Sequence, residues 1–61
     1  MTDRATRTLV IAGRPVAVAF DPEAGVWYVE ASAVPGLAAE APTLEELEAE
    51  LEVLVRLLSL P

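Results

Sequence analysis

Carboxylates are the only side chains in this sequence whose type and number suggest chemistry. Asp21, Glu23 and Glu30 lie close together along the chain, and carboxylates near strand ends can hold Mg²⁺ for phosphoryl chemistry. The run Asp21-Pro22-Glu23 equally suits a tight turn, and nothing beside it supplies a general base of tuned pKa. The chain has no cysteine and no histidine, which removes thiolate and imidazole metal ligands and every Ser/His or Cys/His nucleophile pairing. Gly13, Gly25 and Gly36 are isolated, so no phosphate-cradling loop is present. No catalytic residue, metal site or cofactor is assigned on these grounds, and the expectation is a domain that is not an enzyme.

Binding a macromolecule is the better use of these residues. Glu45, Glu48 and Glu52 share one flank of a predicted helix and Glu46 and Glu50 the other, at about 100° per residue, so either flank can steer a basic protein surface. Tyr28 and Glu30 fall on the same side of a predicted strand and join Glu45, Glu48 and Glu52 as candidate partner-facing residues. Val53, Leu57 and Leu60 form a second apolar patch on the far side of the helix, a candidate interface for self-association. Ten acids against four arginines give a net charge of −6, which disfavours contact with a phosphate backbone.

These side chains need a scaffold, and 61 residues suffice for one domain with a thin core, spanning residues 1–61. A chain so short, with no disulfide to staple it, is expected to gain from pairing with itself as a dimer or higher oligomer. No apolar run is long enough for a membrane span and no secretory signal is evident, so the cytoplasm is the expected location.

The branched run Thr6 to Ala12 predicts a first strand over about 6–12. Gly13-Arg14 then suits a type II′ hairpin turn into a second strand over 15–20. With Ala12 facing Pro15, Ile11 lies opposite Val16 and Leu9 opposite Val18, and one face collects Leu9, Ile11, Val16, Val18 and Phe20. After the turn Asp21 to Gly25, a third strand over 26–31 puts Trp27 opposite Phe20 and Val29 opposite Val18. Trp27, Val29 and Ala31 then join the core face, with Tyr28 and Glu30 behind. Val34-Pro35-Gly36-Leu37 predicts a turn, and the extended return after it has room for a short edge strand over 37–40. Thr43-Leu44-Glu45-Glu46 has the form of a capping box and opens a helix over 44–58. Its stripe Leu44, Leu47, Leu51, Leu54, Val55 and Leu58 should lie on the sheet. The expected class is α+β, a three-stranded antiparallel meander packed on one C-terminal helix in the order β-β-β-α.

The string Asp21-Pro22-Glu23-Ala24-Gly25, Val26 to Ala31, Val34-Pro35-Gly36-Leu37, Glu40 and Thr43-Leu44-Glu45-Glu46-Leu47 resembles the HicB-like antitoxin superfamily, closest to its short members of unassigned function. The resemblance runs from about residue 7 to 58. It implies a partial RNase H-like fold without the RNase H catalytic residues, and a role in covering the active site of a small basic RNA-cleaving toxin. It also implies a further strand after the helix, for which this chain leaves no room. Residues 38–40 or a neighbouring subunit would replace that strand, if it is not simply lost. Operator binding through an added domain does not carry over, since no helix-turn-helix or ribbon-helix-helix segment is present. The expected function is therefore a protein-binding HicB-like antitoxin or stand-alone relative, partnered by itself and by a small basic toxin. The alternatives are a nucleic-acid-binding remnant of an RNase H-like fold and an orphan oligomeric accessory protein.

Overall fold

A computed structural model describes residues 5–59. Four strands and one helix follow in order: β1 (Thr6–Ile11), β2 (Arg14–Asp21), β3 (Val26–Ser32), β4 (Glu40–Ala41) and α1 (Leu44–Leu58). The strands form one antiparallel sheet in the order β1-β2-β3-β4. The sheet thus has four strands rather than three. The fourth is the two-residue pairing of Glu40 and Ala41 with Tyr28 and Trp27, extended by a hydrogen bond from the Val29 N–H to the Ala39 carbonyl at 3.3 Å. It overlaps the expected 37–40 stretch only at Glu40, starting three residues later because Leu37 is drawn into the core by the preceding turn, and ends one residue later.

The first hairpin turns at Ala12-Gly13 and not at Gly13-Arg14. Both turn residues have positive φ, +51° and +80°, the signature of a type I′ turn, whose twist matches that of the flanking strands. Ile11 therefore pairs with Arg14 and Leu9 with Val16, each partner two residues from its expected position. A displacement of two residues preserves the side-chain parity of a strand, so Ile11, Val16 and Val18 remain on the core face.

Between β2 and β3, Phe20 pairs with Trp27 and Val18 with Val29, as the loop length predicts. The rings of Phe20 and Trp27 meet at 5.5 Å with a 57° tilt, a geometry favoured by the aromatic quadrupole. Beyond Val29 the register shifts: Ala17 pairs with Ala31 and Val16 with Ser32, leaving Glu30 as the extra residue of a bulge. The bulge reverses the parity of the end of β3. Ala31, expected in the core, is exposed, and the half-buried Ser32 takes the inward position opposite Val16. Its hydroxyl donates to the Val34 carbonyl at 3.1 Å and its oxygen accepts from the Val34 N–H at 3.2 Å, so the inward polar atom is satisfied.

The helix lies on the face of the sheet carrying Ile11, Val16 and Val18, and buries Leu47, Leu51 and Val55. Thr43 caps it, its side chain accepting from the Glu46 N–H at 3.1 Å. Leu44 and Leu54 pack at the margin of the core. Leu58, predicted for the same stripe, is 47% exposed, because the cover provided by the sheet ends with Val55. Val34 and Leu37 complete the core from the β3–β4 loop, where Pro35 and Gly36 (φ +78°) form a turn closed by the Leu37 N–H and the Val34 carbonyl at 3.3 Å.

Candidate functional site

Asp21 is committed to its own turn. Its carboxylate accepts from the Glu23 N–H at 3.0 Å and the Ala24 N–H at 3.3 Å, while its carbonyl accepts from the Gly25 N–H at 2.7 Å. Glu23 follows in the exposed turn, and Glu30 stands at the bulge, at the far end of β3. Among the described residues, no group of three or more acids is placed to hold a metal ion.

The residues expected to face a partner divide into two groups on opposite sides of the sheet. Tyr28 alternates outward from Trp27 and Val29 and is half-buried on the open face, paired across β2 with Ala19 and across β4 with Glu40. Glu30 is exposed on the same strand. Glu45, Glu48 and Glu52 are exposed on α1, which covers the other face. The sheet separates the two groups, so they do not form one continuous surface.

An open depression of about 320 Å³ brings Tyr28 together with Asp21, Pro22 and Glu23 of the turn, and the outer side of α1 carries another of similar size. Ala49, Val53 and Leu57 recur every four residues, and together with Glu52 and Arg56 they line a shallow groove of about 360 Å³. Val53 and Leu57 are each 59% exposed. Five glutamates, at positions 45, 46, 48, 50 and 52, stand exposed on either side of this stripe. Of the three residues predicted for a self-association interface, Val53 and Leu57 lie together in the groove and Leu60 lies outside the described residues. The groove was foreseen from its apolar period. Ala49 was missed because an alanine on an exposed helix face carries no signal beyond helix propensity.

On the open face of the sheet, Ala19 is fully buried although none of the described helices or strands packs over that face. It lies on a central strand between Thr6 and Tyr28, and its single methyl group is shielded by these larger neighbours. Among the described residues, no helix is long and apolar enough to cross a membrane.

No curated protein and no solved structure matches the chain. The family model described as a domain of unknown function, DUF1902, matches residues 14–59, which run from the start of β2 to the C-cap of α1 and take in the bulge, the turn at Pro35-Gly36 and the capped helix. With most of its length and the larger part of its fold inside that match, the chain belongs to the DUF1902 family.

Proposed function

We propose that this chain is a non-catalytic protein-binding domain, a HicB-like antitoxin or stand-alone relative that sequesters a small basic RNA-cleaving toxin. The observation that carries this reading is the outer face of α1, where an exposed apolar stripe, Ala49, Val53 and Leu57, runs between two rows of glutamates. An apolar strip supplies contact area that excludes water, and carboxylates on either side draw in a basic partner and set its orientation. The resemblance in the acidic turn, the aromatic strand, the Pro-Gly turn and the Thr-Leu-Glu-Glu helix start points to the same kind of partner. In this reading inhibition works by steric cover, and the domain acts in the cytoplasm.

Nucleic-acid binding is the weaker reading, because a chain of net charge −6 has few cations with which to displace counterions from phosphates. An orphan oligomeric protein is the other alternative, with a second copy occupying the same helix groove.

The experiment is a tagged pull-down from the native host at low and at moderate salt, with a nuclease assay on any small basic protein retained. Recovery of a protein whose RNA cleavage stops when this chain is added supports the proposal. Recovery of the chain alone, with no nuclease to inhibit, favours the orphan oligomer.

A further inference from the structure

The two edges of the sheet are built differently. On one side, β4 is only two residues long, lies next to a bulged strand, and is followed directly by Pro42. Short strands, bulges and prolines all discourage further pairing at an edge. On the other side, β1 runs six residues as Thr-Arg-Thr-Leu-Val-Ile, with no proline, a single charged residue, Arg7, and an unbroken register against β2.

The direction of its main-chain groups follows from one hydrogen bond. The Phe20 N–H donates to the Ala5 carbonyl at 2.9 Å, so Ala5 turns its peptide groups toward β2. By strand alternation Arg7, Leu9 and Ile11 do the same, and Thr6, Thr8 and Val10 turn theirs outward. All three outward residues are exposed, Val10 at 71%. Among the described residues the strand therefore turns three N–H donors and three carbonyl acceptors outward in regular array, the Thr6 carbonyl also accepting from the Arg7 guanidinium at 2.8 Å through one of its two lone pairs.

We infer that β1 is a pairing edge for a second copy of this chain, and that two molecules join antiparallel through it into one continuous sheet. Pairing about a two-fold axis at Thr8 sets Thr8 opposite its own counterpart and Thr6 opposite Val10, which engages every outward group with about six new hydrogen bonds. The distribution of charge selects the occupant. Between Ala5 and Phe20 the only charged residues are Arg7 and Arg14, so two copies of this acidic chain meet here without carboxylate facing carboxylate. The same arginines make the edge a poor match for a basic protein. In the paired form Arg7 lies opposite Leu9 of the second copy, where its aliphatic stem can cover the half-buried leucine while its exposed guanidinium keeps or exchanges for water its bond to the Thr6 carbonyl. Both helices lie on one face of the combined sheet. The contact is smaller than the roughly 1,200 Å² of a stable standard interface, so association rises with concentration. This inference does not depend on the antitoxin reading.

Hydrogen exchange followed by NMR on the intact chain, at micromolar and at millimolar concentration, tests it. The Thr6, Thr8 and Val10 amides should exchange about tenfold more slowly in the concentrated sample, while those of Arg7, Leu9 and Ile11 are already protected by β2. A Thr8→Pro variant removes an outward N–H without touching the β2 ladder and should be a folded monomer by circular dichroism and light scattering; Thr8→Ala should associate as the parent does. A Leu57→Glu variant should keep the concentration-dependent protection, which separates this contact from one through the helix groove. Equal exchange at both concentrations would overturn the inference even if Thr8→Pro failed to fold. So would association of a folded Thr8→Pro variant at the parent's level, or protection that appears only when a different protein is added.

Discussion

Ala12 is the one described non-glycine residue held at positive φ, +51°, and it carries a cost that the neighbouring Gly13 does not. An L-residue with a Cβ in the left-handed region is destabilised by roughly 1 kcal/mol relative to glycine, and asparagine tolerates the same region through its short polar side chain. Changing Ala12→Asn should therefore stabilise the fold by about 0.5–1 kcal/mol, giving the Asn-Gly pair that a type I′ hairpin prefers. A urea denaturation midpoint checks this. A lowered midpoint would mean that the hairpin turns at Gly13-Arg14 in solution, where residue 12 would be an ordinary strand residue. The same residue explains why the turn was hard to place: glycine is the only strong cue in Ala12-Gly13-Arg14, and it serves either as the second residue of one turn or as the first of the other.

At the level of elements, the helix was the most legible. Thr43 and Glu46 mark its start, the four-residue and three-residue spacing of Leu44, Leu47, Leu51 and Val55 marks its buried face, and the bounds Leu44–Leu58 agree with the expected 44–58. Its cap is a single hydrogen bond to the Glu46 N–H at 3.1 Å, whose loss leaves a donor of the first turn to water. Thr43→Ala should cost about 1 kcal/mol, read as a fall in Tm of about 4–8 °C by circular dichroism. Thr43→Ser should recover most of it. The bulge at Glu30 was not legible, since Val26 to Ser32 alternates acceptably in either register beyond Val29. What places Ser32 inward and Ala31 outward is the reciprocal pair of hydrogen bonds between Ser32 and Val34, a contact made only once the following loop has folded back. For the same reason β4 was underestimated: two residues carry no period, and Glu40–Ala41 is a strand only because β3 lies beside it.

For the whole molecule, the central matter is which surfaces remain uncovered when one helix packs on one face of a sheet. Leu47, Leu51 and Val55 are consumed by the core, and Val53 and Leu57 remain outside among glutamates. If this stripe holds a partner or a second copy, Leu57→Glu should abolish that contact and leave the fold intact, because the residue is 59% exposed and supports nothing beneath it. Sedimentation and the pull-down described above measure the two consequences separately. A size and a partner yield equal to those of the parent would remove the groove from consideration. Lowering salt should strengthen capture of a basic partner at this face, since the exposed carboxylates act through long-range attraction that ions screen.

The sequence by itself determined the α+β class, the core face of β1 and β2, the Phe20–Trp27 pairing, the bounds and cap of the helix, and the apolar stripe at Val53 and Leu57. Each of these rests on local periodicity or local turn and cap chemistry, which act over a few residues and leave a pattern in the chain. Only the tertiary structure decided the place of the first turn, the bulge, the fourth strand, the burial of Val34 and Leu37, and the separation of Tyr28 and Glu30 from the acids of α1. These depend on contacts between segments that become neighbours after folding. The same holds for the contrast between a blunted edge at β4 and an open one at β1, which exists only once the strands are in order.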